Sequence, residues 1–163
     1  MLFRFYIFIV FSWKNMIRLH NSLSRKVEDF IPLEDNLVRI YSCGPTVYNY
    51  AHIGNMRAFL FADLLQRVLR IVGAYKVKWV MNITNIDDKT IRDSAPGSRQ
   101  WLDAMGDQTQ DLKENLKSFT DYFEKSFIED ISKLGIELDH FFAMPRATEF
   151  IESMKVLVKR IVD

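Results

Sequence analysis

The apolar positions of this chain change period as one reads along it, and the changes predict an ordered set of elements. Residues 37–41 are nearly all apolar and read as a buried strand that ends at Ser42. Gly44-Pro45 breaks that strand. Over residues 55–72 the period becomes helical. Ala58, Phe59, Phe61, Ala62, Leu65, Val68, Leu69 and Val72 cover a wide arc, while Asp63, Gln66, Arg67 and Arg70 share the opposite face. Gly73 fits the helix stop. Residues 75–81 alternate, with Tyr75, Val77 and Trp79 to one side and Lys76 and Lys78 to the other, which predicts a second strand. Strand, helix, strand in this order predicts a right-handed parallel crossover and an α/β fold, with helices flanking a parallel sheet.

The flanking stretches complete the outline. Residues 17–21 read as a short strand, and residues 24–32, polar and ending at Pro32, as a connection. Residues 86–94 read as a short helix, followed by a break at Ala95-Pro96-Gly97. Over residues 107–134, Leu112, Leu116, Phe119, Phe123, Phe127, Ile131 and Leu134 recur every three or four positions, which predicts a long amphipathic helix stopped by Gly135. Residues 140–145 read as extended or irregular, and residues 147–161 as a last helix. There are no internal repeats.

Composition changes this picture little. The chain has 163 residues, the size of one domain, and 22 basic against 21 acidic residues give a net charge of +1, so no general nucleic-acid footprint is present. A single cysteine excludes an internal disulfide and fits a reducing compartment. The first thirteen positions are apolar and aromatic, yet shorter than the roughly 20 residues a membrane span needs, and they lack a small-residue cleavage site. No membrane partner is expected.

The chemistry concentrates between Ser42 and Arg57. Cys43 ends a strand, and His52 and Gly54 stand where a helix begins. Helix starts carry unpaired N–H groups and a positive dipole end that suit a phosphate, and glycine lets a ligand approach the backbone. Ligands in parallel sheets bind beyond the carboxyl ends of the strands. Cys43 lies there after one strand, and Asn82-Ile83-Thr84 after the next, so the spacing predicts a shared site. Periodicity alone leaves blander readings open: a buried thiol for Cys43, a helix cap for His52, turn chemistry for Gly44-Pro45. Asp87-Asp88 open a predicted helix, where the dipole favours acids, and are not read as a metal site. Lys76, Lys78, Arg67 and Arg70 read as solvated faces.

The run Cys43-Gly-Pro-Thr-Val-Tyr-Asn49, followed by His52-Ile-Gly-Asn55, resembles the signature of class I aminoacyl-tRNA synthetases and, within that class, the cysteinyl-tRNA synthetase family. The resemblance continues in Asn82-Ile-Thr-Asn-Ile-Asp-Asp-Lys89 and Pro145-Arg-Ala-Thr148, and runs from about Met16 to the end. It implies a Rossmann-like (HUP-type) sheet, the first half of the catalytic domain over residues 16–95. Residues 96–163 would be a helical segment leading into the connective insertion, and residues 1–15 an over-extended start. The implied activity is activation of cysteine with ATP to cysteinyl-adenylate and transfer to tRNA(Cys), in the cytoplasm. This chain would be an N-terminal fragment, inactive alone.

The resemblance also implies roles by position. His52 and Asn55 are the catalytic donors to the phosphates of ATP, with Gly54 leaving room and Mg²⁺ accompanying the nucleotide. Asn55 stands where the class usually has a second histidine; it keeps an N–H donor but carries no charge. Gly44, Thr46 and Thr84 bind cysteine. Cys43 is a zinc ligand, and zinc, holding the substrate thiolate, rejects serine without editing. The other zinc ligands and the Lys-Met-Ser-Lys-Ser loop lie outside this chain, and His20 and His140 have no ligand-like spacing to Cys43. Two alternatives remain. The cysteine–aminosugar ligase of mycothiol synthesis shares the cysteine and the nucleotide motif but commonly has proline at the Val47 position. A non-catalytic truncated paralogue would act as a binding module.

Overall fold

The computed structural model describes residues 17–163. The expected over-extended start at residues 1–15 lies outside them. Strand β1 (Arg18–Asn21) pairs antiparallel with β2 (Lys26–Asp29), Arg18 opposite Asp29 and Asn21 opposite Lys26. Arg25 turns the ribbon with a left-handed φ of 59°, and its N–H donates to the Asn21 carbonyl at 2.7 Å. This corrects the connection expected over residues 24–32. All of β2 is exposed, so no apolar alternation marks it, and backbone pairing alone makes it a strand.

Strand β3 (Leu37–Ser42), helix α1 (Ile53–Ile71) and strand β4 (Lys76–Met81) form the expected crossover. The strands are parallel, with Leu37 beside Lys76 and Ser42 beside Met81. Pairing continues beyond both strand ends, where Thr46 bridges Thr84. The stretch 141–146 lies along the other edge of β4, with bridges from Val80 to Ala143 and from Ile83 to Arg146. There Phe142 N–H donates to Trp79 O at 2.7 Å, and Ile83 N–H to Pro145 O at 2.8 Å.

Helix α2 (Asp88–Ser94) is capped by Asp87, whose carboxylate accepts the Thr90 N–H at 2.8 Å. That is the dipole role expected of the acidic pair. Helix α3 (Leu112–Lys133) starts later than residue 107, because Asp111 caps it by accepting from the N–H groups of Lys113 and Glu114. Asn115 holds the preceding residues off the helix, accepting the Thr109 N–H and donating to its carbonyl, both at 2.8 Å. Gly135, φ 78°, ends α3 as expected. After a 3-10 turn (Ala147–Phe150), helix α4 (Ile151–Val162) closes the described chain.

One core joins α1, β4 and α3: Met56, Phe59 and Ala62, then Trp79 and Met81, then Phe119, Phe123, Phe127 and Ile131. The rings meet edge to face, Phe59 with Phe127 at 5.1 Å and Phe119 with Phe123 at 5.0 Å.

The polar face expected on α1 is also corrected. Asp63 and Gln66 are buried, at 5% and 1% exposure, while Phe61 from the apolar arc is 68% exposed. Asp63 Oδ1 lies 3.0 Å from His140 Nδ1 and accepts from Gln66 Nε2 at 3.0 Å; its Oδ2 accepts from Arg67 Nε at 2.7 Å. Arg67, partly exposed, also donates to the Gly135 carbonyl at 2.6 Å, so it is tied to the fold rather than freely solvated. A carboxylate can be buried when its lone pairs are engaged, and His140 arrives from the far end of the chain to engage one. Lys76, Lys78 and Arg70 are exposed as expected.

Candidate active site

Beyond β3 the chain crosses the carboxyl end of the sheet as the loop 43–51 and enters α1. Glycine at position 44 is forced by its neighbour. A Cβ there would lie 1.8 Å from the Asn82 carbonyl oxygen, far inside contact distance. Asn82 also receives the Gly44 N–H on its Oδ1 at 3.1 Å and donates from Nδ2 to Thr84 Oγ1 at 3.0 Å. Two backbone bonds then close the loop onto the end of β4: Val47 N–H to Thr84 O at 3.1 Å, and Thr84 N–H to Pro45 O at 2.9 Å. Val47 is buried at 1% exposure. Proline at that position would forfeit the bond to Thr84.

The entry to α1 is a reciprocal cap. His52 Nδ1 accepts the Gly54 N–H at 3.0 Å, and Asn55 Oδ1 accepts the His52 N–H at 3.3 Å. The bland capping role of His52 is therefore real, and it has a chemical consequence. A ring nitrogen that accepts carries no hydrogen, so the imidazole hydrogen sits on Nε2, on the outer side of the ring. Asn55 likewise spends its oxygen on the cap and leaves its amide N–H groups as donors. Gly54 also has a local reason. A Cβ there would meet His52 Cε1 at 2.9 Å and Nδ1 at 3.0 Å, so the room it leaves is filled by the imidazole.

A cavity of about 320 Å³ opens between this loop and α3. Gly44, Thr46, His52 and Asn55 line it together, with Tyr48, Tyr50 and Lys89 beside them and Phe59, Phe123 and Phe127 on its apolar side. Tyr50 and Tyr122 share a hydrogen bond of 2.7 Å between their hydroxyls, which holds the Tyr50 phenol above its ordinary value. Thr84, Gly54 and Cys43 do not line this cavity. Thr84 supports the wall from behind, through the bonds to Pro45 and Val47.

Cys43 is an exposed free thiol just past β3, which corrects the buried-hydrophobe alternative. An exposed thiol at a strand end suits a soft metal as one ligand. The described residues do not supply the rest. Among them, the one cluster of three or more ligating side chains close enough to share an ion is Glu137, Asp139 and His140, without Cys43, and the His140 ring is already bonded to Asp63. His20 lies exposed on β1.

Two residues of the motif that runs from Asn82 to Lys89 have a part in this site that the sequence did not assign. Asn82 supports both Gly44 and Thr84, and its position directly after β4, opposite a glycine, is the signal that could have found it. Lys89, the last residue of that motif, lines the cavity from α2; periodicity alone does not separate it from a solvated lysine.

Comparison with known proteins gives concordant results. The family model described as class I (C) tRNA synthetase catalytic domain matches residues 29–163. A cysteine–tRNA ligase of Methanosarcina mazei is 43% identical over 148 residues, covering 91% of this chain and 28% of that protein. One from Brachyspira hyodysenteriae is 47% identical over 141 residues, covering 85% and 25% respectively. One from Saccharolobus solfataricus is 40% identical over 147 residues, covering 90% and 27%. The chain thus spans about a quarter of the length of these relatives.

Proposed function

This chain belongs to the family of class I (C) tRNA synthetase catalytic domains, and on that premise we propose that it carries part of the active site of a cysteine–tRNA ligase. The observation that carries the reading is one cavity lined by Gly44, Thr46, His52 and Asn55 at the carboxyl end of a parallel strand pair. The first step is activation. A carboxylate oxygen of L-cysteine attacks the α-phosphorus of ATP, an O–P bond forms, and the bond to the β-phosphate oxygen breaks with release of pyrophosphate. The cysteinyl group then passes from the adenylate to the 3′ end of tRNA(Cys). The matched relatives are named cysteine–tRNA ligases, and this supports the choice of substrates.

In that step His52 and Asn55 act as fixed donors. The cap uses the acceptor atom of each internally and leaves its N–H free to donate, and both residues line the cavity. Charge that grows on the phosphate oxygens in the transition state meets donors that need no reorganisation. Gly44 and Thr46 hold the cysteine end, Thr84 backs them through its bonds to Pro45 and Val47, and Asn82 keeps the loop in register. Cys43 would supply one thiolate to zinc, and the metal would hold the substrate thiol and exclude serine; Mg²⁺ would accompany ATP. No described helix is long and apolar enough to cross a membrane; the cytoplasmic place rests on the proposed role in translation.

The Val47 N–H bond to Thr84 favours this reading over the aminosugar ligase, whose motif commonly has a proline there. The test is cysteine-dependent ATP–pyrophosphate exchange in a polypeptide of the relatives' full length that carries these residues. His52→Ala should lower kcat by about a hundredfold or more, the scale of losing one preorganised donor. Exchange that is unchanged in His52→Ala, or absent with cysteine in the parent, would refute the assignment.

A further inference from the structure

Apart from His52, Lys89 is the one ionisable cation among the residues lining the cavity, and no carboxylate lines it. The step derived above gives it no role. Lys89 is the second residue of α2, just after Asp87 and Asp88. The first turn of a helix disfavours a cation, so helix stability does not explain a lysine there. Asp87 is committed to capping the Thr90 N–H at 2.8 Å. Among the described residues no carboxylate forms an ion pair with Lys89. Its ammonium instead lies 4.5 Å above the Tyr48 ring and 3.4 Å from the Tyr48 hydroxyl.

Tyr48 is half-buried and packed against the main core, so its ring is a fixed platform. The lysine above it stands on a flexible four-carbon stem. An aromatic face holds an ammonium less strongly than a charge-assisted hydrogen bond to an oxyanion does. The arrangement is that of a cation held at the cavity wall and free to exchange the ring for a stronger partner.

We propose that Lys89 is an oxyanion-binding residue of this cavity, donating to a carboxylate or phosphoryl oxygen of the bound substrates. The inference rests on the activation reaction proposed above. Two anions meet in that reaction, the cysteine carboxylate and the phosphates of ATP, and Lys89 shares one cavity with Gly44 and Thr46 on the cysteine side and with His52 and Asn55 on the phosphate side. Its charge lowers the repulsion between them on approach and stabilises the negative charge that their reaction concentrates.

The experiment is ATP–pyrophosphate exchange in the full-length form, with ATP and cysteine varied separately, for the parent, Lys89→Met, Lys89→Arg and His52→Ala. Lys89→Met keeps the length of the side chain and removes the charge. It should lower kcat/KM by about tenfold to a hundredfold, the scale of one charge-assisted hydrogen bond. Lys89→Arg should recover most of that loss. A rise in KM for ATP assigns the partner as phosphate, and a rise in KM for cysteine assigns it as carboxylate. Zinc content and the thermal midpoint should not change. Lys89→Met within about twofold of the parent, with His52→Ala inactive, overturns the inference and leaves the proposed function standing. A loss that comes with a lowered thermal midpoint and is not recovered by Lys89→Arg marks a structural contact only and also overturns it. A parent without cysteine-dependent exchange overturns both.

Discussion

Gly44→Ala should be among the most damaging small substitutions in this protein, for a reason that lies wholly in its neighbours. The added Cβ would sit 1.8 Å from the Asn82 carbonyl oxygen, 2.8 Å from Met81 Cγ and 2.9 Å from the Asn82 carbonyl carbon. Real Cβ atoms essentially never come within 3.0 Å of a heavy atom of a residue that is not adjacent in the chain, so the loop and the end of β4 must part by about 1.2 Å. Backbone on both sides of the contact cannot swing aside as a side chain tip can. Parting breaks three hydrogen bonds: Gly44 N–H to Asn82 Oδ1, Val47 N–H to Thr84 O, and Thr84 N–H to Pro45 O. At about 1 kcal/mol net for each, the loss is about 3 kcal/mol. Holding position instead costs overpacking strain of about 1–3 kcal/mol, and more where backbone atoms are opposed. The expected destabilisation is therefore about 3 kcal/mol, or roughly 6–12 °C in Tm for a chain of this size. Urea unfolding followed by far-ultraviolet circular dichroism measures it. Gly97→Ala is the internal comparison. Nothing lies within 4 Å of its added Cβ, and only the left-handed φ of 80° opposes the change. That should cost about 1–2 kcal/mol. A Gly44→Ala protein within about 1 kcal/mol of the parent, or less affected than Gly97→Ala, would refute the close-approach argument.

Three further outcomes follow from the same contacts. Cys43→Ser in the full-length form replaces a soft thiolate by a poor hydroxyl ligand, so zinc content and cysteine affinity should fall together; an enzyme that keeps its zinc and still prefers cysteine to serine contradicts the role of Cys43. Asp63→Ala should destabilise by about 3 kcal/mol, measured by denaturant unfolding, because it strands the buried His140 and Gln66 partners. The Arg67 share of that figure is small, since its side chain is 38% exposed and keeps the Gly135 carbonyl. His52→Asn should preserve helix content better than His52→Ala, because asparagine is a good N-cap, yet recover little exchange activity; full recovery would mean that capping alone is the function of His52.

The order of elements was legible in the sequence because it is set by short-range rules. The apolar run before Cys43, the helical arc after His52 and the alternation from Tyr75 each report a local period, and Gly44-Pro45, Gly73 and Gly135 punctuate them. The motif positions were legible for the same reason. A helix start and two strand ends are points on the chain, so Cys43, His52, Asn55 and Thr84 could be placed without knowing their neighbours. Strand β2 escaped because an exposed ribbon has no apolar period to read.

What only the tertiary structure decided is which groups meet across long separations. Asp63 and Gln66 look like a solvated face until His140, 77 positions past Asp63, enters the core beside them. Gly44 could be any turn glycine until the Asn82 carbonyl closes on it from the next strand, 38 positions on. Lys89 is an ordinary surface lysine until the fold lays it over Tyr48, 41 positions earlier. The physical reason is the same each time. Propensity and periodicity act over one or two turns, whereas the burial of a carboxylate, the contact of two backbones and the placing of a cation depend on distances that exist only once the chain has closed on itself.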